Sequence, residues 1–183
     1  VSLTKTSKAY QNIEDNLQGI LEGMVISIDP SIGSSSSMPG WAIYRAGQYV
    51  SSGIFEIPVH KSLPDRLRTL ANHVRKLYND YPPDVLVYED IPAQRYGMGN
   101  AVAHASLLKA LGAILSVPGP DGYVGIMPVS WKKLVRDTYE KGDEADAVEI
   151  GYVVIECAGQ IRYNKENGKG GKRHVGNKKE TRK

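Results

Sequence analysis

At 183 residues, with 41% hydrophobic and 23% charged residues, the chain has the make-up of one ordinary globular domain, long enough to bury a real core. The single Cys157 excludes an internal disulfide framework and a cysteine-rich zinc site, and no apolar run approaches the roughly 20 residues needed to cross a bilayer. The formal charge is +3, too small to specify a partner, so its placement along the chain matters more than its size.

Residues 1–22 are polar, with Tyr10, Ile13, Leu17, Ile20 and Leu21 at helical spacing; they predict a short amphipathic helical extension. Met24 to Ile28 is a first strand, which ends abruptly in Asp29 and Pro30 and runs into a Gly33 and serine loop. The segment 40–45, a turn at Ala46-Gly47 and the segment 49–57 predict an antiparallel hairpin. Ser62 then caps a helix whose apolar stripe is Leu63, Leu67, Leu70, Val74 and Leu77, stopped by Tyr81-Pro82-Pro83. Asp84 to Tyr88 is a nearly all-apolar strand, the pattern of a strand covered on both faces, and it too ends in acids, Glu89-Asp90. A loop with Arg95, Tyr96, Gly97 and Gly99 leads to a helix from Asn100 to Leu115. Tyr123 to Met127 is the last strand, Ser130 is expected to cap a basic helix, and Asp143 to Ala158 is a strongly apolar final helix.

From Tyr163 onward the chain holds eight Lys/Arg and two Glu. This stretch therefore carries +6 and leaves −3 for everything before it. Rich in Gly, Asn and Lys, it cannot bury a core and is expected to be a disordered basic tail. Both a solvated tail and a nucleic-acid-contacting arm fit it. The expected organisation is an extension over 1–22, one globular domain over 23–162 and the tail over 163–183. No apolar leader opens the chain, and a reducing, cytoplasmic compartment is expected.

The element order predicts an α/β fold, a mixed five-stranded sheet with helices on both faces. Its two most apolar strands, those ending in Asp29 and Glu89, belong at the centre, with their acidic ends side by side. Asp143 and Asp146 open the last helix three residues apart and share one face of it. Each acid has an ordinary reading on its own: Asp29 an Asx turn, Glu89 a strand-end acid, Asp143 and Asp146 complements to the helix dipole. Together they predict a shared site, because converging carboxylates repel unless a cation holds them. Hard oxygen ligands of this kind select Mg²⁺ or Mn²⁺. The histidines form no ligand-spaced pair. Glu144, Glu149 and Asp90 point elsewhere, and Trp41 and Trp131 are expected in the core.

Four motifs carry a resemblance: I-S-I-D-P-S-I-G followed by G-W-A-I; V-Y-E-D; N-A-V-A-H-A-S-L-L-K-A-L-G-A-I; and D-E-A-D-A-V-E-I-G. Over about residues 24–158 the chain resembles the RuvC family of Holliday junction resolvases, within the RNase H-like nucleases. The resemblance implies a RuvC-type fold and metal-dependent paired nicking of branched DNA (four-way junctions, possibly three-way and flap DNA) by a crossover junction endodeoxyribonuclease. It places the catalytic, metal-binding carboxylates on Asp29, Glu89, Asp143 and Asp146, around two Mg²⁺ ions that Mn²⁺ can replace. It also implies a homodimer, with the helix from Asn100 as its surface, and the compact size fits a phage-encoded relative. Lys132 resembles a DNA-contacting lysine of the family; Lys133, Arg95 and Lys109 are DNA-binding candidates by position. Two features depart from the family. The segment before Asp143 is about two turns shorter, and Pro92 stands where an aromatic junction-prying residue is expected, leaving Tyr96 as its candidate replacement. The rival readings are an actin-like ATPase or sugar kinase, which shares the strand-Asp-phosphate-loop opening, and an RNase H-like RNA-processing nuclease.

Overall fold

The computed structural model describes residues 3–5, 7–32, 38–91, 101–135 and 142–168. The expectations for Arg95, Tyr96 and Pro92, for the serine loop and for the chain beyond residue 168 concern residues outside these. Helices α1 (Lys8–Asp15) and α2 (Leu17–Glu22) precede strands β1 (Met24–Asp29), β2 (Gly40–Arg45) and β3 (Gln48–Ile54). Then come α3 (Leu63–Asp80), β4 (Val85–Glu89), α4 (Ala101–Leu115), β5 (Gly122–Ile126), α5 (Pro128–Leu134) and α6 (Asp143–Gly168).

The five strands form one sheet in the order β3-β2-β1-β4-β5. The first three form an antiparallel meander, while β4 joins β1 in parallel and β5 joins β4 in parallel. The hairpin turn falls at Ala46 and Gly47, both with positive φ (49° and 73°), the conformation that matches strand twist in a two-residue hairpin. As expected from their composition, β1 is the central strand and β4 lies beside it.

Side chains alternate across a sheet, and here the alternation sorts two cores. Val25 of β1 and Val85 and Val87 of β4 pack with α6, whereas Ile26, Ile28 and Leu86 pack with α3 and α4 on the opposite face. The α6 stripe is Ala147, Ile150, Val154, Cys157 and Ile161, all buried, at the three-and-four spacing of one helix face.

Several boundaries differ from the sequence-based expectation. The second hairpin strand stops at Ile54 rather than at residue 57. Residues 1–22 form two helices rather than one, and their Ile13 and Ile20 are fully buried in the same core as α6. Ser130 does not cap α5: the helix starts at Pro128, with Met127 at the cap position, because proline suits a first turn that has no use for its missing N–H. The last helix continues past Ala158 to Gly168, held in its final turns by ion pairs from Arg162 to Glu22 and Lys165 to Glu14.

Candidate functional site

Period-two alternation aims the two strand-end acids. Val25, Ser27 and Asp29 share the α6 face of β1, and Val85, Val87 and Glu89 share that face of β4. The parallel register pairs Ile28 with Tyr88, so Asp29 and Glu89 are the next residues along neighbouring strands. The α6 stripe extended backwards by one turn reaches Asp146 and Asp143. The helix face that packs on the sheet therefore also presents its first-turn acids to the strand ends. The structure brings all four predicted carboxylates to one end of the sheet.

Two small residues let α6 come this close. A Cβ at Gly40 would run into the backbone carbonyl of Asp143, and one at Gly151 would run into Tyr44 and Ser27. Ser27, fully buried, donates its hydroxyl to the Ala147 carbonyl at 2.7 Å. Tyr44 donates to the Val148 carbonyl. Both bonds tie the start of α6 to the sheet directly behind the acids.

Each carboxylate is also engaged locally. Asp29 accepts from the Ser31 amide (3.3 Å) and hydroxyl (3.2 Å), so the Asx turn and the strand-tip acid are the same residue. Glu89 Oε2 accepts from the indole Nε1 of Trp131 at 2.9 Å. Asp143 accepts from the Met38 amide at 2.8 Å, and Asp146 pairs with Lys132 at 3.3 Å. Among the described residues no three acid, histidine or cysteine side chains stand at the spacing of a bound ion; each of the four carboxylates is instead drawn to its own donor.

Asp29 is only 5% exposed. Burial first, and then the fields of Glu89, Asp146 and Asp143, push its carboxyl up to about 8. Burial also raises Glu89; the Trp131 hydrogen bond and the Lys132 charge work against that rise, and Asp146 adds to it. A buried acid among acids is stable only when neutral or beside a cation. One cation, the Lys132 ammonium, already stands at the rim of the cluster. The donors are all carboxylate oxygens, a set whose chemistry suits a hard divalent cation.

Of the predicted DNA-contacting residues, Lys132 lies against Asp146 and over the Trp131 ring, 4.8 Å from its centroid. Lys133 is exposed on the same helix, and Lys109 is exposed on α4, across the sheet from α6. Glu144 turns away to accept from Ser52 of β3. Trp131 is in the core as expected, but its bond to Glu89 was not foreseen. Ser27 and Gly40 were missed too. Their signals are a hydroxyl in an otherwise apolar strand two residues before Asp29, and a glycine opening the strand opposite it.

No protein-family model matches this sequence, and no curated protein does. Solved structures match by fold. Thermus thermophilus RuvC in complex with a Holliday junction substrate superposes with a TM-score of 0.57 at 15% identity, over 75% of this chain and 95% of that one. A second Thermus thermophilus RuvC structure gives 0.53 at 13% identity, over 76% and 96%. The yeast mitochondrial Holliday junction resolvase Ydc2 gives 0.58 at 11% identity, over 92% and 93%. The fold is the RNase H-like fold of RuvC. These matches span nearly the whole of the resolvase chains, so the RuvC-type sheet is present here in full.

Proposed function

We propose that this protein is a metal-dependent, structure-selective endonuclease that resolves four-way DNA junctions by paired nicking. The observation that carries this reading is the convergence of Asp29, Glu89, Asp143 and Asp146 at one end of a RuvC-type sheet. Asp29, on the central strand and most deeply buried, would hold the cation together with Glu89 and Asp146. Mg²⁺ or Mn²⁺ held there would stabilise charge on the scissile phosphate and lower the pKa of the attacking water. The protein's own contribution is orientation. Ser31 fixes the Asp29 carboxylate, Trp131 fixes Glu89, and the Gly40 contact sets the height of Asp143, which is assigned to align the water. Lys132 and Lys133 would meet DNA phosphates beside the cleaved bond.

Nicking two opposed strands calls for two copies of the site. Support for a homodimer comes from α4. Its Ala101, Ala105, Leu108, Gly112 and Leu115 are exposed at alternating spacings of four and three, the repeat of a helix–helix seam. Val102 beside them is 83% exposed.

The reading is tested by incubating the purified protein with Mg²⁺ or Mn²⁺ and labelled four-way, Y-shaped, flap and linear duplex DNA, then mapping the nicks. Symmetric nicks in the four-way substrate are expected, with little cutting of the linear duplex. No nicking of any branched substrate with either ion would overturn the proposal. Sedimentation should give a dimer that Leu108→Glu dissociates.

A further inference from the structure

We propose that Trp131 is a positioning residue for the nuclease site: its indole N–H sets the orientation of the Glu89 carboxylate and leaves Oε1 for the cation. This inference rests on the function proposed above. Trp131 is fully buried on α5, and a buried indole needs an acceptor. Here the acceptor is Glu89 Oε2, 2.9 Å away, so the bond that satisfies the indole also constrains the acid. The constraint is needed because the terminal torsion of a glutamate is broad and roughly two-fold. At the end of a strand, with no donor, the plane of the carboxylate would be unspecified.

An indole is well suited to this task. It is a donor only, with no lone pair to offer a metal and no proton to lose in the working pH range. It therefore cannot become a ligand itself. The next residue in the chain extends the device: Lys132 lies over the same ring and binds Asp146. Two consecutive residues of α5 thus hold two acids that come from different elements, β4 and α6. Outer partners of ligating carboxylates tune metal affinity by orienting the ligand, and their loss typically costs about 10–100-fold in affinity or activity.

The test is Trp131→Phe, which keeps a ring in the core and removes the donor. Mn²⁺ binding followed by calorimetry should weaken by about 10–100-fold, while metal-free junction binding stays within twofold of wild type. Excess Mn²⁺ should restore most of the turnover, with KM for DNA unchanged. In a Glu89→Ala background the same substitution should have no further effect on Mn²⁺ affinity. A readout without a tryptophan substitution guards against misfolding. The protein has two tryptophans, so the ¹⁵N indole spectrum holds two signals. The Trp131 signal should move in Glu89→Ala and broaden with Mn²⁺ before that of Trp41. Wild-type Mn²⁺ affinity in a folded Trp131→Phe protein, or an indole signal indifferent to Glu89, would overturn the positioning role and leave the nuclease reading intact. If the wild-type protein shows no Asp29-dependent Mn²⁺ binding, both fall together.

Discussion

Among the described residues each end of the sheet carries a group of acids, and only one group is a candidate for chemistry. At the starts of β1, β4 and β5, Asp15, Glu22, Asp84 and Asp121 line an open cavity of about 530 Å³. All four are exposed. Glu22 is neutralised by Arg162, and Asp84 is committed to structure, its carboxylate accepting the Met24 amide at 2.6 Å. At the opposite end Asp29 is buried, the acids beside it come from two other elements, β4 and α6, and burial together with their charges lifts its carboxyl to about 8. Water screens the first group fully and is excluded from Asp29 at the heart of the second, whose other acids are half-buried. The contrast teaches that carboxylate number is uninformative by itself. Burial and convergence separate a site from a solvated rim.

The largest expected effect is at Asp29. Asp29→Asn should lower junction cleavage by at least about a thousandfold, roughly 4 kcal/mol of barrier, with junction binding retained. Cleavage within threefold of wild type would remove the distinction between the two ends. Gly40→Ala comes next. It replaces none of the four acids but drives a methyl group into the backbone carbonyl of Asp143, and overpacking of this kind costs about 1–3 kcal/mol. Both the melting temperature and the cleavage rate should fall; an unchanged rate would show that the height of α6 is not critical.

A third effect is read from pH. The Asp29 carboxyl is raised from 3.8 to about 8 on folding, so the folded state holds this proton more tightly than the unfolded state does. Its contribution is fully present below about pH 4 and is lost as pH rises through 8. In chelator, the melting temperature of wild type should decline from pH 6 to 9 more steeply than that of Asp29→Asn. Parallel curves would mean that Asp29 is not under strain from its neighbours. The smallest effect is expected at the other end: Asp84→Asn should cost about 1 kcal/mol of stability and leave cleavage unchanged.

Much of the site was legible in the sequence because two local patterns point at it. The apolar runs that end in Asp29 and Glu89 placed those acids at neighbouring strand ends, and the three-residue spacing placed Asp143 and Asp146 on one helix face. The central position of β1 followed from its apolar run. What was not legible depends on packing between elements distant in sequence. The Trp131 bond spans 42 positions, and nothing in the string W-K-K says which way an indole faces. The contact of Gly40 with Asp143 is likewise visible only once α6 is seated. Proline at 128 could have corrected the start of α5, since it is a stronger start signal than the serine two residues later. The burial of α1 and α2 was hidden because their few apolar residues look too sparse for a core until α6 lies against them.

The Ser27 hook has a consequence for chain length. It fastens the Ala147 carbonyl to β1, one residue after Asp146 and one turn after Asp143. A single residue inserted between Asp146 and Ala147 would leave every acid and every core contact of α6 intact. It would also turn the first-turn carboxylates by about 100° around the helix axis, away from Asp29 and Glu89. Substitutions on the outer side of this turn are absorbed by solvent, but a change of one in residue count is not. In an alignment of related chains, gaps should therefore be absent between the positions of Asp143 and Ala147, whatever the residues between them become.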